Sequence, residues 1–528
     1  MEVDHKQINA YKFRTYAILI AMSISIFVIA YNTTALINAL PILQHKFNIE
    51  PSNLQWLLNT YILASVAFML VGGKLYDTYD KRNIFLITLF EYLVASLIII
   101  YAPNSTYLYI GRALQGIGAA LIASGSLAII KKTFLDFKLQ KAISIWSTIA
   151  GSGFCIGPFL GGYFTSQFSW TYIFWAAIVL VIISILLVFI FLPKERKLKE
   201  QTEPIRHIQK NNNLDIAGII VIVVGLICVV YSFVKVNDLG WNNPVILILF
   251  VIGIVMLIVF YFIEKKAASP ILDFSTFLNK EFSLSLIGTL SLFSIILMEI
   301  PYLFNIFAQN KTLLNYSAYY AGCALLPLNI CYILGSFLSA KITKQIGHYY
   351  TLIISLSLQV IGIFMISYFV YYITYIYFII PFIIIGLGGG ITFPCYSFTA
   401  MSNISKDKTG QASGIFNLTT YFGDLSGTVI WSIVFFYSGS HYLESSVSNS
   451  TFLKSLNKST INNLVMGSKA SIEKLLNSDI PNKELLLGQI EKSGITAFSN
   501  AMFCSGIILF LITLLFVLYL KKDKEKCR

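Results

Sequence analysis

Long uncharged apolar runs, separated by short polar loops, set the rhythm of this chain. A membrane-crossing helix needs about 20 apolar residues. By that measure fourteen runs qualify, beginning near residues 16, 54, 84, 107, 142, 170, 216, 245, 283, 318, 350, 377, 412 and 497. The loops between them sort by charge. One set carries Lys6, Lys12 and Arg14, then Lys74, Lys81 and Arg82, then Lys131, Lys132 and Lys138, and continues to a basic tail from Lys521 to Arg528. The alternate set is nearly bare, with Lys46, Lys235 and Lys311 its main cations. Basic loops face the cytoplasm, so both termini are expected there, which requires an even number of spans.

Three connections are longer. The stretch from Lys194 to Asn213 is polar and basic and reads as a cytoplasmic linker. The stretch Ala267–Lys280 reads as an amphipathic piece on the inner surface. The segment at about 439–494 holds six lysines on the outer side, where long loops escape the charge rule. Its helix-like pieces Ser471–Leu476 and Lys483–Ile490 predict a small helical cap. The expected division is therefore 1–193 as a six-span bundle, 194–282 as linker plus two additional spans, and 283–528 as a second six-span bundle. The fold class is an all-α polytopic membrane protein.

Composition agrees. Of 528 residues, 56% are hydrophobic and 12% charged, against about 25% charged in soluble domains. The net charge of +13 sits in the loops and needs no nucleic-acid partner; the expected partners are the lipid bilayer and a small-molecule substrate. The seven cysteines lack metal or disulfide spacing, so no metal or other cofactor is expected. The five histidines fall in predicted loops or tails. With no nucleotide loop and no nucleophile beside a base, enzyme chemistry finds no support.

Four stretches carry candidate chemistry. In the fifth span, Gly153, Gly157 and Gly161 recur every four residues, with Pro158 and Gly162 beside them. Such a stripe lets a second helix approach backbone to backbone. It suits either a joint between two moving bundles or a plain packing contact. After the second span comes Gly73-Lys-Leu-Tyr-Asp77-Thr-Tyr-Asp80-Lys81-Arg82; the glycine permits a tight turn, and an acid among basic neighbours can act as a conformational latch. In the fourth span Arg112 and Gln115 lie in Gly111-Arg-Ala-Leu-Gln-Gly-Ile-Gly118. An arginine within a span costs about 2.5–3.5 kcal/mol on insertion scales, so it should face an aqueous cavity and a partner, unless it snorkels to the outer surface. The first span holds Asn32-Thr33-Thr34 and ends at Pro41. Glu91, Glu299 and Asp424 are carboxylates inside spans, where ionisable groups default to functional candidates.

The glycine–proline stretch resembles the antiporter motif in the fifth span of major facilitator superfamily drug/proton exporters. The Gly73–Arg82 loop is similar to that superfamily's G-x-L-A-D-R-x-G-R-K, with Thr78 and Asp80 at variance. Ile110 to Ala120 resembles R-x-x-Q-G-x-G-A-A, and Asn32 to Pro41 resembles D-T-T-I-V-N-V-A-L-P with Asn32 in place of the aspartate. Weaker fragments, among them Trp170 to Trp175 and Gly386 to Gly390, follow in order over most of the chain. The chain is identified as a member of the fourteen-span drug/proton antiporter branch. The resemblance implies a bacterial inner-membrane protein that exports small amphipathic compounds in exchange for protons by alternating access. Within the fold, a specific metabolite or siderophore exporter is the rival; a transport-inactive sensor is the rival of another class. The resemblance further implies that Asp77, with Gly73, Lys81 and Arg82, meets a helix start in the other half, and that Asn32, Arg112 and Gln115 line the substrate cavity. Proton coupling falls to Glu299 first, then Asp424, with Glu91 either a third carrier or a hydrogen-bonded helix contact.

Overall fold

The computed structural model describes residues 5–49, 54, 56–134, 136–194, 215–240, 243–267, 270–402, 404–446, 458–468, 472, 473, 475 and 483–526. Among these the regular structure is helical. In hydrocarbon every backbone N–H and C=O must be satisfied inside its own segment, which selects helices for apolar runs of this length. The long helices are α1 His5–Ala35, α2 Trp56–Thr78, α3 Lys81–Ile100, α4 Ser105–Thr133, α5 Asp136–Gln167, α6 Tyr172–Phe191, α7 Ile216–Leu239 and α8 Pro244–Lys266. They continue with α9 Lys280–Gln309, α10 Leu326–Ile346, α11 His348–Phe369, α12 Ile376–Ser402, α13 Thr409–Ser446 and α14 Lys483–Lys526. Thirteen of these are long and apolar enough to cross a bilayer. The helix outside that group is α13, at the place of the run near 412. It has 38 residues, and its Gly, Ser, Thr and Asn content dilutes the apolar signal.

Contacts gather the chain into two units. The first comprises Met1–Ile287 with Tyr396–Phe422, the second Gly288–Cys395 with Gly423–Arg528. In the first, α4 is the central helix, with 78% of its apolar window buried. Its small residues admit α2 and α3 closely: a Cβ on Gly116 would stand 2.8 Å from the Ala64 Cβ. At the other extreme, α8 has only 17% of its window buried. It is apolar on nearly all sides, as a helix facing lipid tails must be.

The α7–α8 pair is fixed at its ends. Asp215 caps α7 by accepting from the Gly218 N–H at 2.9 Å, and Asn243 caps α8 by accepting from Val245 at 2.9 Å. Tyr231 stacks on Trp56 at 5.3 Å. Beyond α8, Glu264 accepts from the Leu272 N–H at 3.2 Å, and Lys74 donates to the Pro270 carbonyl at 2.6 Å. The connection expected to be amphipathic holds one short 3-10 helix, Phe274–Leu278. The linker expected over 194–213 lies outside the described residues from 195 onward.

In the second unit, Phe304, Phe307, Phe378, Phe382 and Phe498 form an aromatic core; Phe304 meets Phe382 at 4.9 Å and Phe307 meets Phe498 at 5.1 Å. Gln359 of α11 donates to Thr392 of α12 at 2.7 Å, and the Thr392 hydroxyl lies 2.8 Å from both the Ser355 hydroxyl and the Gly388 carbonyl. The expected outer cap is smaller in its described part than the sequence suggests. α13 runs on to Ser446, and Lys483–Ile490 is the first part of α14 rather than a separate helix. Between them the described residues include the short helix Lys458–Val465, and much of Ser471–Leu476 lies outside the description.

Candidate functional site

In the first unit, one buried polar network crosses four helices. Arg112 of α4 is 1% exposed. Its Nε donates to the Leu57 carbonyl at 2.9 Å and its Nη1 to Gln115 Oε1 at 3.1 Å. The guanidinium lies over the Tyr61 ring, 4.2 Å from the centroid. Gln115 donates onward to Ser96 at 2.8 Å, and Ser96 to the Tyr92 carbonyl at 2.8 Å. The Tyr92 hydroxyl accepts from Asn32 Nδ2 at 2.9 Å, while Asn32 Oδ1 is buried without a hydrogen-bond partner. Asn32, Arg112 and Gln115 are thus one cluster, and Arg112 does not snorkel. The tyrosines of the network were missed in the sequence; their helical spacing is indistinguishable from that of ordinary apolar packing.

The loop after α2 differs from expectation in one respect. α2 continues through Thr78, so Gly73 lies inside the helix and serves a close approach rather than a turn. A Cβ on Gly73 would collide with the Gly410 carbonyl oxygen and stand 3.2 Å from the Gln411 Cα. Four residues on, Asp77 accepts the Gly410 and Gln411 N–H groups, both at 2.7 Å. These are the free donors at the start of α13, where a negative charge is favoured. Lys74 and Lys81 are its cationic neighbours. Arg82 turns away, donating to the Phe189 carbonyl at 2.6 Å. Asp80, at the position that is glycine in the resembled motif, caps α3 by accepting from Asn83 at 3.0 Å.

The glycine stripe of α5 faces α1 of the same unit. A Cβ on Gly153 would come within 2.8 Å of the Phe27 carbonyl oxygen, and one on Gly157 within 3.0 Å of the Tyr31 carbonyl oxygen. Gly161 abuts the Ala35 carbonyl oxygen. Pro158 sits inside the unbroken α5, next to Gly157, and Gly162 is half-buried beside Gly161. Of the two roles the spacing allowed, the contacts found are those of a helix seam.

The second unit holds the two leading acids. Glu299 is fully buried, and neither carboxyl oxygen meets a hydrogen-bond donor. It ends a π-helical stretch, Leu292–Glu299, just before Pro301; π-helical irregularities recur at functional sites. The Ser505 hydroxyl of α14 lies beside it but gives its own proton to the Met502 carbonyl at 3.0 Å. Asp424 is half-buried on α13. Its neighbours Gly423 and Gly427 press on the π stretch: Cβ atoms there would stand 2.9 Å from the Phe293 Cβ and 2.6 Å from the Ser294 carbonyl oxygen. Trp431 donates to Ser294 at 3.2 Å. Glu91, in the first unit, lies against Gly118 of α4 with both oxygens buried and without a hydrogen-bond partner, so it is not a hydrogen-bonded helix contact here.

Among the described residues no group of three or more His, Cys, Asp or Glu side chains could hold a metal ion. His5 begins α1, His45 lies in the short helix Leu40–Phe47, His348 begins α11 and His441 lies in α13, so these four are helical rather than in loops, and His207 lies outside the described residues.

The family model described as Major Facilitator Superfamily matches residues 22–428. A puromycin resistance protein of Streptomyces alboniger is 26% identical over 433 residues, covering 80% of this chain and 82% of its own. A quinolone resistance protein of Staphylococcus aureus is 28% identical over 422 residues, covering 79% and 88%. Among solved structures, the human organic anion transporter TETRAN shares the fold with a TM-score of 0.58 at 12% identity, covering 94% of this chain and 99% of its own. A proton:xylose symporter does so at 0.54 and 13%, covering 88% and 96%.

Proposed function

Because the chain belongs to the Major Facilitator Superfamily, we propose that it exports small amphipathic compounds by alternating access, driven by protons moving the opposite way. It is a multi-pass membrane transporter and not an enzyme. One observation carries the efflux reading: relatives named for antibiotic resistance align along about four fifths of this chain, 79–80%. The proposed location is a bacterial inner membrane with both termini in the cytoplasm.

Proton coupling is assigned to Glu299, with Asp424 second. A carboxylate at Glu299 would have no donor to satisfy it, and an unpaired buried charge is expensive. A carboxylic acid there could donate a hydrogen bond to the Ser505 oxygen, whose own hydrogen is directed to the Met502 carbonyl. This burial supports assigning to Glu299 a group that carries its proton in this conformation and releases it in another. Asn32, Arg112 and Gln115 are assigned to substrate contact, and Gly73, Asp77 and Lys81 to the latch that holds one conformation, while Arg82 is held on Phe189 instead. Gly153, Gly157, Pro158, Gly161 and Gly162 keep α5 seated on α1 during the cycle.

The test is substrate-induced proton release from proteoliposomes across a panel of antibiotics, dyes and metabolites. Several unrelated compounds that each release protons support multidrug antiport. A single responding metabolite would make this a specific exporter, and binding without flux would make it a sensor.

A further inference from the structure

Arg112 is a cation withdrawn from water with no anion beside it. Its hydrogen-bond acceptors are the Leu57 carbonyl and the Gln115 amide, and its ring contact is Tyr61. The other groups close enough to act on its charge are hydroxyls, those of Tyr92 and Tyr421. Among the described residues no carboxylate is within ion-pair distance, and Nη2 has no protein acceptor. The effective penalty for a buried ion is several kcal/mol unless something compensates it. A ring face and neutral dipoles offset only part of that.

The two places from which an anion could come are occupied otherwise. Glu91, the residue before Tyr92 in α3, packs against Gly118, six residues further along α4 and so about 9 Å along the axis from Arg112. Asn32 reaches the same cluster through Tyr92 but is neutral, and its Oδ1 has no donor. What remains is a guanidinium edge with unused N–H donors beside the ring of Tyr61 and near the Tyr92 hydroxyl. Such an edge matches a planar oxyanion, because arginine binds a carboxylate through two parallel hydrogen bonds. It repels an ammonium group.

We infer that the compound carried by this protein supplies the missing anion: a carboxylate on an aromatic or apolar body, bound through Arg112, which thereby sets specificity. The inference rests on the export reading above and narrows its substrate class.

The experiment uses the purified full-length chain in nanodiscs and three matched probes: 2-naphthoic acid, its methyl ester and 2-naphthylmethylamine. The acid should bind at least tenfold more tightly than the ester, and the amine more weakly than either. Arg112→Lys should keep the order but shrink the preference. Asn32→Asp places an anion in the cluster; it should abolish the preference for the acid and admit the amine. Arg112→Gln should erase the acid–ester difference, and size-exclusion chromatography shows whether that variant is folded; Asn32→Asp decides the matter if it is not. Equal binding of acid and ester by the wild-type chain, or no binding of the acid, overturns the inference. Export of the ester or amine but not the acid in proteoliposomes also overturns it, while leaving the export reading intact. Acid-selective binding in a chain that exports nothing would sink the export reading alone.

Discussion

Asp77→Asn is the most informative single change, because the structure gives its target atoms. The carboxylate holds two backbone N–H groups at 2.7 Å each, at the first turn of α13. A hydrogen bond to a charged group contributes about 1.5–3 kcal/mol, and an anion at a helix start about 0.3–1 kcal/mol more. Asparagine keeps one acceptor oxygen but loses the charge and turns its NH2 toward the second N–H. Asp77 is only half-buried, so the lower ends of these ranges apply and the loss is about 2 kcal/mol. That is roughly 30-fold in an equilibrium between a conformation that makes the contact and one that lacks it. Amide hydrogen exchange at the start of α13, measured in nanodiscs, should speed up by about that factor. Turnover should fall while substrate affinity stays within about twofold, since Asp77 is outside the Arg112 network. Unchanged exchange together with wild-type turnover would refute the latch. A large loss of affinity with unchanged turnover would make Asp77 a substrate contact.

Gly157→Leu should wedge α5 from α1 where a Cβ already approaches the Tyr31 carbonyl oxygen to 3.0 Å; inserted protein should persist by surface labelling, with transport abolished and thermal stability lowered. Glu299→Gln should remove uphill, proton-driven export while preserving binding of a neutral compound, and paired proton and substrate fluxes in vesicles check this; Asp424→Asn should be milder, and uphill pumping by the double variant would rule out both acids. The Asp273 carboxyl is pulled down to about 2, first by its hydrogen bond to Lys408. A depressed carboxyl stabilises above its unfolded value and loses that contribution as pH falls through about 2, in line with proton linkage. The pair is well exposed, at 44% and 33%, so Asp273→Ala should lower stability by only about 0–1 kcal/mol, in full above about pH 4 and progressively less below it, as a thermal-shift series from pH 3 to 7 would report.

Much of this was legible in the chain because lipid imposes a simple code. Apolar run length located every long helix, including α13, whose Asn417, Asp424 and repeated glycines weaken its signal without hiding it. The resemblance of the Gly73–Arg82 loop led to Asp77 and a helix start, but not to Gly410 and Gln411 as the donors. Periodicity showed that Gly153, Gly157 and Gly161 share a face; it could not say that α1 covers it, because a partner is a property of the tertiary fold. The π-helical turn ahead of Glu299 was hidden for a different reason. It changes the hydrogen-bond step from four residues to five without changing the composition. The polar first turns of α14 were assigned to a separate cap, because a helix extending past the membrane carries no apolar mark. That no described carboxylate pairs with Arg112 was the least accessible, since it shows only when the neighbouring helices are placed.

The exposed helix α8 has a consequence in material terms. With 17% of its apolar window covered by protein, its surroundings are chiefly acyl chains. Its 23 residues span about 34 Å at 1.5 Å per residue, longer than a typical hydrocarbon core of about 30 Å. A thinner bilayer must therefore be met by tilt or local thickening, at a fraction of a kcal/mol per Å. Through Glu264 and the Leu272 N–H, then Pro270 and Lys74, the end of α8 is joined to the α2 terminus that carries Asp77. Membrane thickness thus has a mechanical route, through these two contacts, to the Asp77 site proposed as the latch.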